Sequence, residues 1–502
     1  MIYDIIFVTG EPFFDYPLCG VAILKRLLEK YGYTVGLITM PKNDSDIKKL
    51  GKPKLFFGVT SGSIDSMVRN YTPLNKKRSE DTHTTYMPYV PDRAVIVYSN
   101  WIKQHFKGSI IVIGGVEASM RRFAHFDYWS NTVRKSILFD SKTDILVYGN
   151  GEKQILEIAD RVKNNLSLKG IKGTCIREKT APGNFTIIPS FEEVFASKEK
   201  FCDMQNSFSN YKNLAQKTGD WFVLQYEYPD YTSHDLDEYY ELPYTRKVDS
   251  PYLKGFTFSV VTHRGCIGNC NFCSLRLLQG DKIISRSEDS IIREITRITK
   301  LPNFKGTIDD LGGPSANMYG MDCKKCRNNC IDCAKLDRTN NKLINLLRRV
   351  RKIKGVKHVY VRSGVRYDLA SNEYIKELIQ HHISGSLKIA PEHVSKKVLK
   401  LMNKDKGDFD TFVYNFKKMG GELKYYFMTG HPGSTIKEAK ELSNKIKQLG
   451  NTESVQLFTP TPMTESTCMY YTGLNPKTRE PVFVPRGFRE KKEQKRAIYN
   501  KT

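Results

Sequence analysis

The chain has 502 residues, with 79 Lys and Arg against 54 Asp and Glu, giving a formal charge of +25. At ~150 residues per domain it holds roughly three structural units, or two with an extension. An apolar fraction of 40% with 28 Tyr and 26 Phe excludes disorder throughout, and the longest apolar runs, such as Ile110–Ile113, are too short to span a bilayer. The N-terminus, MIYDIIFVTGEPFFD, has no basic n-region and no small-residue cleavage site. It reads as a first strand, and a cytoplasmic location without membrane association is expected. The charge favours a polyanion, RNA first, although an AT-rich genome or selection for solubility also enriches Lys.

Residues 1–165 alternate strand and helix signals. Predicted strands are 3–9, 34–39, 55–60, 110–115 and 145–149, with helices over 20–31 and 151–162. This is the pattern of a doubly wound α/β domain with a parallel sheet. Residues 166–250 are less regular and Tyr-rich, and are expected to be a connector packed on its neighbours. A second alternation starts at Phe256, with strands at 256–261, 306–309, 357–361, 386–390, 423–428 and 455–458. Ser287 caps a predicted helix with the stripe Ile291, Ile292, Ile295 and Ile298. Another stripe runs through Leu343, Leu346, Leu347, Val350 and Ile353. Further helices are predicted at 371–381, 394–403, 408–419 and 435–449. Six strands with intervening helices give residues 251–475 as a partial (β/α)6 barrel, whose chemistry sits in the loops after the strands. Residues 476–502 are expected to be a basic tail, with seven basic and two acidic residues in 485–502.

Seven of the 11 Cys lie between Cys266 and Cys333, a clustering that in a reducing compartment points to metal. Cys266, Cys270 and Cys273 form C-x3-C-x2-C directly after the first barrel strand. Three thiolates hold three irons of a cubane, whereas a fully protein-ligated [4Fe–4S] cluster needs four. One iron stays open for another ligand, and Gly265 and Gly268 let the loop wrap closely. A zinc site lacking a fourth ligand and three incidental thiols are the bland alternatives. Cys323, Cys326, Cys330 and Cys333 form a second motif inside an inserted loop (321–334). It suits Zn2+ or an auxiliary Fe–S cluster, its compactness leaning towards iron, with Lys324, Lys325 and Arg327 favouring thiolates.

The C-x3-C-x-aromatic-C motif resembles that of the radical S-adenosylmethionine (SAM) superfamily. The resemblance implies that Cys266, Cys270 and Cys273 ligate a [4Fe–4S] cluster, that Phe272 lies beside the adenine, and that SAM chelates the open iron. Reductive cleavage then gives methionine and a 5′-deoxyadenosyl radical that abstracts hydrogen from substrate. Gly312 and Gly313 correspond to a Gly-Gly-Glu that grips the SAM amino group, with Pro314 replacing the Glu. Arg362, Ser363 and Arg366 suit a carboxylate or ribose, and Lys388, Glu392 and His393 are similarly placed at a strand end. Gly430-His431-Pro432-Gly433 resembles a turn near the adenine. The stretches 114–153, 285–295, 312–320 and 457–473 are similar to the YgiQ-type family of that superfamily, whose substrate is unassigned.

The resemblance further implies an electron donor of flavodoxin or ferredoxin type and a cobalamin-domain-like N-terminal unit. Cobalamin itself is not expected, because Asp15-Tyr16-Pro17-Leu18-Cys19-Gly20 lacks the His of Asp-x-His-x-x-Gly. Ser61–Ser63 and Ile113-Gly114-Gly115 stand where that domain has its phosphate-side loop and later Gly-Gly. The leading expectation is an oxygen-sensitive radical SAM enzyme, with RNA modification as one candidate reaction. The competing expectation is a non-catalytic Fe–S or zinc RNA-binding protein.

Overall fold

The structure is a computed structural model that describes residues 2–78, 90–247, 254–323, 330–450 and 452–499. It separates into two compact units. The first comprises residues up to Asp15, Cys19–Asp230 and Thr459–Val482; the second comprises Tyr16–Leu18, Tyr231–Phe458 and the chain from Phe483 onward.

In the first unit, buried apolar runs form β1 (Ile5–Thr9), β2 (Val35–Thr39), β3 (Phe56–Thr60) and β4 (Ile110–Ile113). They are followed by a two-stranded ribbon, β5 (His125–Asp127) with β6 (Thr132–Arg134), and by β7 (Ile145–Val147). β2-β1-β3-β4-β7 are neighbours and all parallel. Helices Gly20–Lys30, Ala94–His105 and Glu152–Lys163 intervene. The residues expected to be a connector extend this sheet. β8 (Thr174–Glu178), β9 (Thr186–Ile188), β10 (Leu214–Thr218) and β11 (Trp221–Gln225) bring it to nine strands, in the order β2-β1-β3-β4-β7-β8-β11-β10-β9. β7–β8, β8–β11 and β11–β10 are antiparallel. The helix Glu465–Thr472 packs here, its Tyr471 ring 4.8 Å from Phe126 and 4.9 Å from Phe201.

In the second unit the strands are short. β12 (Val260–Val261) leads into a ribbon of β13 (His263–Arg264) and β14 (Ile284–Ser285). Then come β15 (Thr307–Ile308), β16 (Leu311–Gly312), β17 (His358–Val359), β18 (Ser386–Glu392), β19 (Glu422–Thr429) and β20 (Thr452–Leu457). β12 pairs with β16, β15 with β17, a Val365–Ile389 bridge leads to β18, and β19 and β20 follow. Every one of these pairings is parallel, in chain order, as an open β/α barrel requires. The helix Glu288–Ile298 is capped by Ser287, whose side chain accepts from Ser290 N at 3.2 Å, and it buries Ile291, Ile295 and Ile298. Asn341–Arg351 buries Leu343, Leu346, Leu347 and Val350 into the same core.

The expected basic tail is helical over its last described residues. Phe488–Tyr499 is a helix that buries Lys491, Gln494 and Ile498, with Ile498 in the unit's main core. No helix among the described residues is long and apolar enough to cross a membrane.

Candidate active site

The Cys266–Cys273 loop leaves β13 through Gly265, whose φ is +88°. A Cβ there would lie 1.7 Å from the Lys282 carbonyl oxygen, so this close return of the chain demands glycine. The loop is pinned along its length. Cys266 N donates to Gly280 O at 3.1 Å and Cys273 N to Cys270 O at 3.1 Å. Asn271 donates through its backbone to Met402 O and through Nδ2 to Leu401 O, both at 2.9 Å, while Asn403 Nδ2 donates to Asn269 O at 2.7 Å. The turn after the helix Lys396–Leu401 therefore fixes the middle of the loop.

The three residues are half-buried free cysteines. Burial pushes the Cys266 thiol up and the Cys273 thiol up to about 12; the neighbouring thiols add to the rise, and Arg366 and Lys404 oppose it at Cys266. Among the described residues no three His, Cys, Asp or Glu side chains converge on a single metal ion. An iron–sulfur cubane asks for something else, one thiolate on each of several irons. Soft sulfur donors on a small-residue loop, drawn close enough to perturb one another, fit that group.

Charged side chains border the loop. Arg366 Nη1 lies 3.5 Å from Cys270 Sγ, and its Nε and Nη2 donate to Asp368 at 3.0 and 2.7 Å. Glu392 ends β18 at a register break with φ +70°. Burial raises its carboxyl to about 7, against the pull of Lys404 and Arg366. Phe272 meets His431 edge-on at 6.5 Å between ring centroids, and His431 meets Phe458 at 5.0 Å. The Gly-His-Pro-Gly turn and the aromatic of the cysteine motif are thus brought together. Gln494 of the C-terminal helix holds this turn: its Oε1 lies 3.1 Å from Thr429 Oγ1, 3.1 Å from Gly430 N and 3.0 Å from Ser434 Oγ.

Gly312 and Ser363 are adjacent, since a Cβ on Gly312 would lie 2.7 Å from Ser363 Oγ; one on Gly313 would lie 2.5 Å from the His263 ring. Ser363 donates its hydroxyl to Asp310, which also accepts from the backbone N of Arg362 at 2.8 Å. Arg362 spends its guanidinium on Gly255 O at 3.2 Å and the face of Tyr360 at 5.3 Å. Sequence reasoning missed Asp310, Asp368, Lys404 and Gln494. For Asp368 the spacing Arg-x-Asp was the available signal.

Of the second motif, Cys326 lies outside the described residues, as do Lys324, Lys325 and Arg327. Arg338 donates to Ile331 O at 2.6 Å and Cys333 O at 3.1 Å, fixing the turn that carries Cys330 and Cys333. Cys330 and Cys266 pack against one small apolar cluster of Ile267, Ile283, Met318, Met321 and Leu369.

At the carboxyl ends of the first unit's strands, Asp15 is paired with Arg26 through both oxygens, at 3.0 and 2.5 Å. Ser63 donates its backbone N and hydroxyl to Glu11 at 2.9 and 2.6 Å. The loop expected on the phosphate side therefore faces the chain's own carboxylate.

A cysteine loop at the head of an open β/α barrel, preceded by a doubly wound unit, defines a radical SAM enzyme. Residues 2–260 match the radical SAM N-terminal family, residues 260–446 the radical SAM superfamily, and residues 453–500 a domain of unknown function, DUF3362. A UPF0313 protein of Clostridium botulinum is 44% identical over 98% of this chain and 84% of its own length. One of Methanocaldococcus jannaschii is 45% identical over 98% and 88%. The chain belongs to the UPF0313 family, the YgiQ type of radical SAM protein, and its reaction is unassigned.

The structure of the radical SAM methyltransferase TsrM from Kitasatospora setae, with cobalamin and a [4Fe–4S] cluster bound, aligns with a TM-score of 0.55. It is 16% identical, over 94% of this chain and 79% of that one. The cobalamin-dependent enzyme OxsB gives 0.51 at 12% identity, over 88% and 52%. At these identities the likeness shows the fold. The family brings a [4Fe–4S] cluster and SAM.

Proposed function

We propose that Cys266, Cys270 and Cys273 hold the [4Fe–4S] cluster and leave one iron for SAM. The observation that carries this is the pinned three-thiol loop, with no further Cys in the sequence between 274 and 322. The bound cluster supplies the electron that cleaves SAM to methionine and a 5′-deoxyadenosyl radical, the hydrogen-abstracting species. Phe272, edge-on to His431, offers the adenine an apolar wall. Gly312 and Gly313 present backbone groups, and Asp310 holds Ser363 and the Arg362 backbone in place. Anaerobically reconstituted protein with SAM and dithionite is expected to form 5′-deoxyadenosine, and Cys270→Ala to abolish it. Equal yields from both proteins, or none from the wild type, would sink this reading.

The substrate class we propose is RNA, on the strength of the +25 charge. Retention of RNA should then weaken steeply with salt, and a salt-independent or absent interaction removes that part alone. A second metal centre at Cys323, Cys326, Cys330 and Cys333, with iron favoured over zinc, and a flavodoxin- or ferredoxin-type donor complete the proposal.

A further inference from the structure

The guanidinium of Arg366 is ion-paired on one edge and borders the cysteine loop with the other. Asp368 takes its Nε and Nη2 edge, and the two side chains are 5% and 4% exposed. The backbone of Arg366 is bracketed by Asn317, whose Oδ1 accepts from Arg366 N at 2.9 Å and whose Nδ2 donates to Arg366 O at 2.8 Å. A carboxylate on that edge fixes the guanidinium plane. The remaining nitrogen, Nη1, is thereby aimed at Cys270 Sγ, 3.5 Å away. Space for it is provided by Gly268, where a Cβ would lie 2.3 Å from Nη1 and 3.4 Å from Cys266 Sγ.

We propose that Arg366 is a positioning residue that donates a charge-assisted hydrogen bond to the Cys270 thiolate and raises the reduction potential of the cluster on that loop. This rests on the reading of Cys266, Cys270 and Cys273 as cluster ligands. The step concerned is a one-electron reduction by an external low-potential donor, dithionite in the test, with no proton transferred and no covalent bond formed or broken. Reduction adds one negative charge beside the thiolates, so an N–H donor carrying positive charge stabilises the reduced form more than the oxidised one. Asp368 fixes the donor and offsets part of its charge.

The test is an EPR-monitored redox titration of the full chain, reconstituted anaerobically with iron and sulfide and without SAM. Arg366→Gln should make reduction at least tenfold less favourable, a fall of about 59 mV for a one-electron couple. Asp368→Asn should move the midpoint the other way. An unchanged midpoint in Arg366→Gln at wild-type iron content overturns the inference and leaves the ligand reading standing. If Arg366→Gln holds no iron, Asp368→Asn decides: a rise supports the inference, and no change or a fall overturns it. Equal iron and sulfide in the wild type and the Cys266/Cys270/Cys273→Ala variant would remove the ligand reading, and the inference with it.

Discussion

Gly265→Ala should cost the cysteine loop its cluster while leaving the rest of the barrel folded. The position has φ +88°, where a residue with a side chain is strained by roughly 1–3 kcal/mol. The new Cβ would also begin 1.7 Å from the Lys282 carbonyl oxygen. Reaching van der Waals separation moves one strand end by roughly 1.5 Å or more. That displacement breaks the Cys266 N to Gly280 O bond and strains the Arg264–Ile284 pairing, at about 0.5–1.5 kcal/mol for each bond lost. Together these give about 2–5 kcal/mol against the loop geometry, a loss of roughly thirtyfold or more in the competent population. Iron and sulfide per chain, measured after reconstitution in the presence of a competing chelator, report that population. Gly364→Ala is the control, because a Cβ there meets nothing within 4 Å. Iron loading of Gly265→Ala equal to that of the control would refute the reasoning.

Gln494→Ala removes the acceptor that Thr429, Gly430 and Ser434 share, together with an amide donor 2.7 Å from Ser434 O. Each buried group left unpaired costs about 1–3 kcal/mol, so amide exchange at Gly430 should quicken at least tenfold; exchange at the wild-type rate would count against Gln494 holding the turn. Burial depresses His263 and His431 to about 3 and His393 to about 4. Their stabilisation as neutral groups is complete above the unfolded value near 6.5 and is lost as pH falls from there towards the folded values. Each contributes roughly 1.4 kcal/mol per pH unit in that window, so the unfolding midpoint should fall between pH 7 and pH 5, and a flat profile would contradict the burial. The Cys323/Cys326/Cys330/Cys333→Ala variant should lose iron or zinc relative to the wild type; unchanged iron, sulfide and zinc eliminate the second centre.

The parallel strands of the first unit were legible because each is a short, mostly buried and mostly apolar run, as in β1 and β3. β10 and β11 were not, because their buried faces include Gln216 and Gln225. Those amides point inward to bond Ala124 N and Arg122, which erases the apolar alternation that marks a strand. The C-terminal helix hid in the same way. Its buried face carries Lys491 and Gln494 beside Ile498, so it read as a charged tail. At the site, tight spacing made the cysteine loop visible, but spacing says nothing of what faces it. Arg366 stood out as an Arg near a strand end. Its aim at Cys270 depends on Asp368, two residues further on, and on Asn317 and the missing Cβ of Gly268, which only the fold brings to it.

The same distinction governs the first unit. Its parallel strand order places the switch point between β1 and β3, where such folds bind ligands at the strands' carboxyl ends, and its fold is shared with enzymes whose structures hold cobalamin. A shared sheet does not supply a cobalt ligand. Two residues after Asp15 stands Pro17, which offers cobalt no side-chain nitrogen, and Asp15 is committed to Arg26 rather than to an imidazole. Glu11 occupies the loop after β3 by bonding Ser63. We therefore expect protein incubated with hydroxocobalamin to emerge from gel filtration without corrin absorbance. A retained corrin band would show that this fold holds the cofactor without the histidine and would reassign the strand ends of the first unit to it.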